Sequence, residues 1–256
     1  MHSHLPFRLL PACLLALLAA CSSDGSTAPT QSRADLNQAF AELGIPALAT
    51  VSATVAGVPS FTPAIADRSP CAYAAASQSF ACPTQTAGGL TIAASYSLRS
   101  ASGAAQSVFD PATTDAVHTD ASAAGTVTNG ATRLTVDAKQ SLTLSGLLAE
   151  HHVLDGTGSS AVDGVLAQGS STVPVSMTST TTISKLTFPA TGSASKWPLS
   201  GTIATETSTT VAGVPPIPAR AVVTFDGTSR VAVELTIAGA THRCTIDLAS
   251  QAPGCG

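Results

Sequence analysis

The chain has 256 residues and a mass of 25.3 kDa, enough for one large β domain or two small ones. Charged residues make up only 10%, and the formal net charge of -4 leaves no basic footprint, which argues against a nucleic-acid partner. Thr occurs 34 times among abundant Ser, Ala and Gly, a mix that excludes a highly charged disordered chain or a coiled coil. Mean hydropathy is +0.31, yet no apolar run reaches the roughly 18 residues of a spanning helix.

Residues 1–8 carry His2, His4 and a single cation, Arg8. An apolar run follows from Leu9 to Ala20, interrupted only by Pro11. That length suits the core of a signal peptide and is too short to span a bilayer. It ends Leu18-Ala19-Ala20-Cys21. Small residues let an extended segment enter a peptidase site, and the Cys21 thiol can then carry a diacylglycerol. The four residues resemble the lipobox of bacterial lipoproteins, cut before Cys21. The resemblance covers about the first 25 residues and implies three acyl chains on Cys21, enough for a stable anchor without a spanning helix. Ser22, rather than Asp, follows the cysteine, which in that family's sorting pattern implies the outer membrane of a two-membrane cell. Residues 1–20 are therefore expected to be a signal peptide in which Cys13 is discarded. Residues 21–32 would be the lipidated cysteine and a Ser/Thr/Gly/Pro tether, and residues 33–256 one folded domain.

The predicted elements begin with a short amphipathic helix over residues 33–43. Leu36, Ala39, Phe40 and Leu43 fall on one face, Ser32 and Asp35 resemble a capping box, and Gly44 is a stop. From about Ala47 the pattern is strands and turns. Ile92, Ala94, Tyr96 and Leu98 share one parity, as do Leu134, Val136, Ala138, Leu142 and Leu144, and then Val231, Val233, Leu235 and Ile237. The alternate positions are mostly Thr, Ser and Ala, the pattern of a half-buried antiparallel sheet with a Thr-rich outer face. The expected fold is all-β: ten or more strands, some of 10–14 residues, in one large antiparallel, meander-like curved sheet, a sandwich or an open barrel.

Turn signals fall at Gly103, Asn129-Gly130, Gly146, Asp155-Gly156, Asp163-Gly164, Gly192, Gly213, Asp226-Gly227 and Gly239. Pro/Gly-rich loops are expected at residues 189–196 and 212–218. Gly239-Ala240 reads as a type II′ turn that sets Leu235 opposite Cys244 and Val233 opposite Ile246. Asn129-Gly130 reads as type I′ and puts Val127 and Leu134 on one face. At Asp226-Gly227 a three-residue loop with a bulge would set Ala221 opposite Val231.

The mature domain holds Cys71, Cys82, Cys244 and Cys255, an even count that reads as disulfides in an exported chain. Three connectivities are open, and the local one, Cys71 with Cys82 and Cys244 with Cys255, is favoured. A hairpin that pairs Cys71 with Cys82 also pairs Tyr73 with Phe80 on the same face, around a four-residue loop from Ala75 to Gln78. The stretch Cys71, Tyr73, Phe80, Cys82, Gly89-Leu90-Thr91-Ile92 and Ser95-Tyr96 resembles uncharacterised lipoproteins of bacterial envelopes, a class that implies no activity.

Signatures of chemistry are missing. No C-x-x-C, H-E-x-x-H, G-x-S-x-G, P-loop or dinucleotide fingerprint occurs, so no metal, cofactor or catalytic residue is assigned. Adjacent His151 and His152 would point to opposite faces of a strand, and His118, between Asp115 and Asp120, reads as a loop or surface residue. Trp197 reads as core filling. Sparse aromatics without girdles argue against a transmembrane barrel. The expected role is that of a lipid-anchored, non-catalytic envelope lipoprotein with structural or interaction duties. The alternative is a carrier that encloses a lipid or other hydrophobic ligand in its curved sheet, and an enzyme is the least supported reading.

Overall fold

The computed structural model describes residues 71–168, 171–189, 197–249 and 252–255. The signal segment, Cys21, the tether and the helix expected at 33–43 lie outside the described residues.

One antiparallel sheet contains all fourteen strands found among the described residues. They are β1 (Ala72–Ala74), β2 (Ser79–Ala81), β3 (Gln85–Ala87), β4 (Leu90–Ser100), β5 (Ala105–Gln106), β6 (Thr114–Asn129) and β7 (Thr132–Ser145). The remainder are β8 (His151–Gln168), β9 (Ser171–Pro189), β10 (Ser200–Val211), β11 (Ile217–Phe225), β12 (Arg230–Ile237), β13 (Ala240–Asp247) and β14 (Ala252–Cys255). From β6 to β14 each strand pairs with its sequence neighbours, an uninterrupted meander, and the sheet does not close on itself. The central strands exceed the expected length, with 18 residues in β8 and 19 in β9.

Strand length tapers towards both edges, and both edges are short. On the N-terminal side β4 is covered piecewise by β3 at Leu90–Ile92, β2 at Ser95–Tyr96 and β5 at Leu98–Arg99. On the C-terminal side β14 has four residues. Short, broken edges leave little continuous template for a foreign strand.

The period-2 pattern decides what is buried. In β12, Val231, Val233, Leu235 and Ile237 are buried while Arg230, Ala232 and Glu234 are exposed. One row of directly paired residues runs across the whole path: Tyr73, Phe80, Tyr96, Thr119, Leu142, Gly156, Ile183, Ile203, Val223, Val233, Cys244 and Cys255. The main core surrounds this row and joins Leu144, Leu154, Leu186 and Phe188 to Val231, Leu235 and Ile246. Phe80, Tyr96, Leu98 and Val117 form a second cluster, and Leu147 packs against both.

Farther along the same face the central strands turn polar. Thr181 and Thr205 place their hydroxyls 3.3 Å apart, and Thr207 Oγ1 donates to Ser179 Oγ at 3.4 Å. Beyond that belt a third apolar cluster forms around Leu134, Val136 and Val162.

Three turns differ from expectation. The β12–β13 turn is centred on Ala238-Gly239, both with positive φ (47° and 88°), the signature of type I′. Leu235 therefore faces His242, Val233 faces Cys244 and Val231 faces Ile246. At β6–β7 the central pair is Gly130-Ala131, with positive φ at Gly130 only, and Val127 lies directly opposite Leu134. Between β11 and β12 the connection runs from Asp226 to Ser229, so Ala221 faces Leu235. Asp226 Oδ1 accepts both the Thr228 N–H at 3.1 Å and the Thr228 hydroxyl at 2.7 Å, which stabilises the longer loop.

Asp155-Gly156 and Asp163-Gly164 are not turns; both lie inside β8. At the first, Lys185 has a positive φ of 46° and donates its N–H to Asp155 Oδ1 at 2.7 Å. Register shifts there between β8 and β9 and again between β9 and β10, and such bulges bend a sheet.

Candidate functional site

The N-terminal hairpin is the first element assembled from residues the sequence singled out. Cys71 and Cys82 are joined by a disulfide with a Cα–Cα distance of 4.0 Å. Tyr73 pairs with Phe80, and the loop is Ala75 to Gln78 as expected. The Tyr73 and Phe80 ring centroids are 5.0 Å apart, and Phe80 stacks on Tyr96 at 4.5 Å with an interplanar angle of 5°. The disulfide and the aromatic stack share a cluster with Leu98 and Val117, so the bridge closes the hairpin and packing holds it to β4. At the opposite edge the backbone register sets Cys244 opposite Cys255.

The outward face carries an open groove of about 630 Å³ across β4, β6, β7, β8 and β9. Each strand contributes three consecutive residues, centred on Ala94, Ala121, Gln140, Gly158 and Thr181. The flanking residues alternate with the core positions, so they stand on the solvent side. They form two rows, one from Ser95 through Asp120, Ser141 and Thr157 to Thr182, the other from Ala93 through Ser122, Lys139 and Ser159 to Thr180. The surface is thus small hydroxyls with one Lys and one Asp.

His118 sits on the rim of this groove, inside strand β6 rather than in a loop. Asp120 is two residues on and shares its face; Thr143 is its direct cross-strand partner. The ring bridges them, with Nε2 3.1 Å from Asp120 Oδ2 and Nδ1 2.9 Å from Thr143 Oγ1. The order of groups is that of a nucleophile–base–carboxylate relay. Acyl transfer also needs N–H donors aimed at a developing oxyanion. Here His118 is laddered between Ser97 and Thr143, and Thr143 between His118 and Asp155, so the sheet itself uses the neighbouring backbone. The triad ties β6 to β7 on the outer face. Sequence reading missed it, although a His-x-Asp within a period-2 strand was the available signal.

His151 and His152 open β8, and they do diverge: His151 is exposed, while His152 is half-buried on the Leu154 side. Burial, then the neighbouring His151, holds the His152 imidazole below its ordinary pKa. Nε2 of His242 is buried without a hydrogen-bond partner, opposite Leu235. Trp197 is half-buried beside buried Pro198. Among the described residues no group of three His, Cys, Asp or Glu could hold a metal, and no described helix is long and apolar enough to cross a membrane. Comparisons with protein-family models, curated proteins and solved structures give no match.

Proposed function

We propose that the chain is a lipid-anchored, non-catalytic lipoprotein of the cell envelope, sorted to the outer membrane, whose β domain serves a structural or interaction role. The observation that carries this reading is Leu18-Ala19-Ala20-Cys21 behind an apolar core of signal-peptide length. The disulfide at Cys71–Cys82 supports it, because such bridges persist in oxidising compartments outside the cytosol. A matching bridge between Cys244 and Cys255 belongs to the proposal, as does the amphipathic helix at 33–43, packed on the sheet with Leu36, Ala39, Phe40 and Leu43 inward. The interaction role is favoured over the carrier role because Leu98, Leu144, Leu186, Ile203, Leu235 and Ile246 are fully buried in the part of the inward face beside the polar belt.

The test is mass spectrometry of the N-terminal peptide from the full chain expressed in a two-membrane bacterium. Expected is a peptide that begins at Cys21 and carries three acyl chains, and its loss in Cys21→Ser. An unmodified peptide that begins upstream of Cys21 would overturn the reading.

A further inference from the structure

The meander gathers its hairpin tips at one end. The row Val127, Leu134, Gly164, Val175 and Val211 lies just below the β6–β7, β8–β9 and β10–β11 tips, so these three protrude together. The β3–β4 and β12–β13 tips flank them at a lower level. Every one of these tips falls in a stretch without Asp, Glu, Lys or Arg: residues 82–98, 121–132, 164–184, 207–219 and 235–241. The other end contrasts with this: its connections carry Asp110, Glu150 and Asp226, and Asp247 ends β13 there.

At this end the β10–β11 tip is apolar where it is exposed, while Val108 at 70% and Leu148 at 44% are the exposed large hydrophobics of the other end. Residues 212–218 are all exposed and include three prolines, with Val214 at 47% and Ile217 at 44% exposure. Leu166, Val173 and Val175 on the adjacent hairpin are half-exposed. Arg133, the cation nearest these tips, stands one pair below the β6–β7 turn.

We infer that this end docks on the interfacial layer of a lipid bilayer. Val214 enters the boundary between headgroups and acyl chains, while Arg133 and, farther back, Ile217, level with Val136, face the headgroup layer. Protruding, uncharged, proline-stiffened tips backed by a cation match that gradient, since the acyl region excludes charge and the headgroup layer attracts a guanidinium. The contact deepens the lipid-anchored reading, because acyl chains on Cys21 would raise the local lipid concentration around the tips, but it is tested separately.

Trp197, the single tryptophan, lies at the opposite end and serves as the built-in control. Two full-length chains are compared on phosphatidylcholine vesicles that hold lipids with a nitroxide near the headgroup. One is native; the other carries Val214→Trp together with Trp197→Phe. The tryptophan introduced at the tip is expected to shift blue and be quenched by about two-fold or more, and Trp197 to be unaffected. A third chain, Val214→Asp with Ile217→Asp in a Cys21→Ser background, is expected to lose the tip's contribution and bind several-fold more weakly than Cys21→Ser alone. Absent quenching, or equal quenching of both reporters, overturns the inference. So does a blue shift already present without vesicles, which would assign the tips to the N-terminal segment or a second copy of the chain. The mass of the Cys21 peptide reports on the anchor independently, so either reading can fail alone.

Discussion

Three glycines in β8 offer a test of how closely the central strands pack. A Cβ added at Gly164 would lie 2.0 Å from the Arg133 carbonyl oxygen and 3.0 Å from Leu134 Cα. At Gly156 it would lie 2.3 Å from the Ser141 carbonyl oxygen and 2.9 Å from Leu142 Cα. These obstacles are ladder backbone, which cannot swing aside as a side chain can. At Gly158 the nearest atom is the Lys139 carbonyl oxygen at 3.6 Å, ordinary van der Waals contact. Gly164→Ala must push β7 away from β8 locally. That disrupts one or two ladder hydrogen bonds at about 1 kcal/mol each and adds an overpacking cost of about 1–3 kcal/mol. The expected loss is about 2–4 kcal/mol for Gly164→Ala and similarly for Gly156→Ala. Gly158→Ala should be neutral or stabilising by about 0.5 kcal/mol, because alanine narrows the unfolded ensemble. Urea unfolding followed by circular dichroism measures all three, with a lowered midpoint at unchanged slope as the signature of lost stability. Equal midpoints for Gly158→Ala and Gly164→Ala would refute the close-approach argument.

Other expectations follow from the cysteines and the titrating groups. Cys71→Ser or Cys82→Ser should cost about 3 kcal/mol by releasing the loop in the unfolded chain, a difference that reductant abolishes; non-reducing peptide mapping that finds free thiols at both positions would contradict it. Cys244→Ser should destabilise by a similar amount, about 3 kcal/mol, if the facing Cys255 is its partner, and mapping of the C-terminal peptide decides this. The Thr228 hydrogen bonds hold the Asp226 carboxyl below its ordinary pKa, so the stability they add is present above the unfolded value and is lost as pH falls through the folded one. Thr228→Val should raise the Asp226 pKa, read by NMR titration. His152 is likewise held below its ordinary value, so the unfolded chain binds more protons and stability falls as pH drops through the unfolded imidazole range. His152→Gln should flatten the stability profile there, and an unchanged slope between the two chains would count against the burial argument.

Burial class was legible from the sequence because period 2 fixes which face a side chain takes. Tyr96, Leu98, Leu134, Val136, Leu144 and the alternate residues of β12 are buried as the pattern required. The Cys71–Cys82 hairpin was legible because two independent pairs, cysteine and aromatic, agreed on one register. The Asp-Gly pairs of β8 misled because Asp-Gly favours a turn locally. Tertiary context overrode that preference: Gly156 and Gly164 serve close strand approach, and Asp155 accepts an N–H from the bulge at Lys185. In the His118 relay the His-x-Asp half was legible, but Thr143 was not, because it meets His118 only through a pairing register that separates them by 25 positions.

The register errors follow a rule. At β12–β13 the partner of Leu235 moved from Cys244 to His242; at β11–β12 the partner of Ala221 moved from Val231 to Leu235. Both slips are by an even number of residues, so every inward side chain stayed inward. An odd slip would have turned Val231, Val233 and Leu235 out to water, at a cost of about 1.5–3 kcal/mol for each large side chain. Hydrophobic patterning thus forbids odd slips and is nearly indifferent to even ones. What selects among the even registers is turn chemistry of much smaller energy. Ala238 takes a positive φ beside Gly239 so that the turn has the type I′ twist, and Thr228 bonds Asp226 so that the loop can lengthen. The strong signal in this sequence specifies faces, and the weak one specifies partners, which is why a sheet of this kind can be foreseen before its register can.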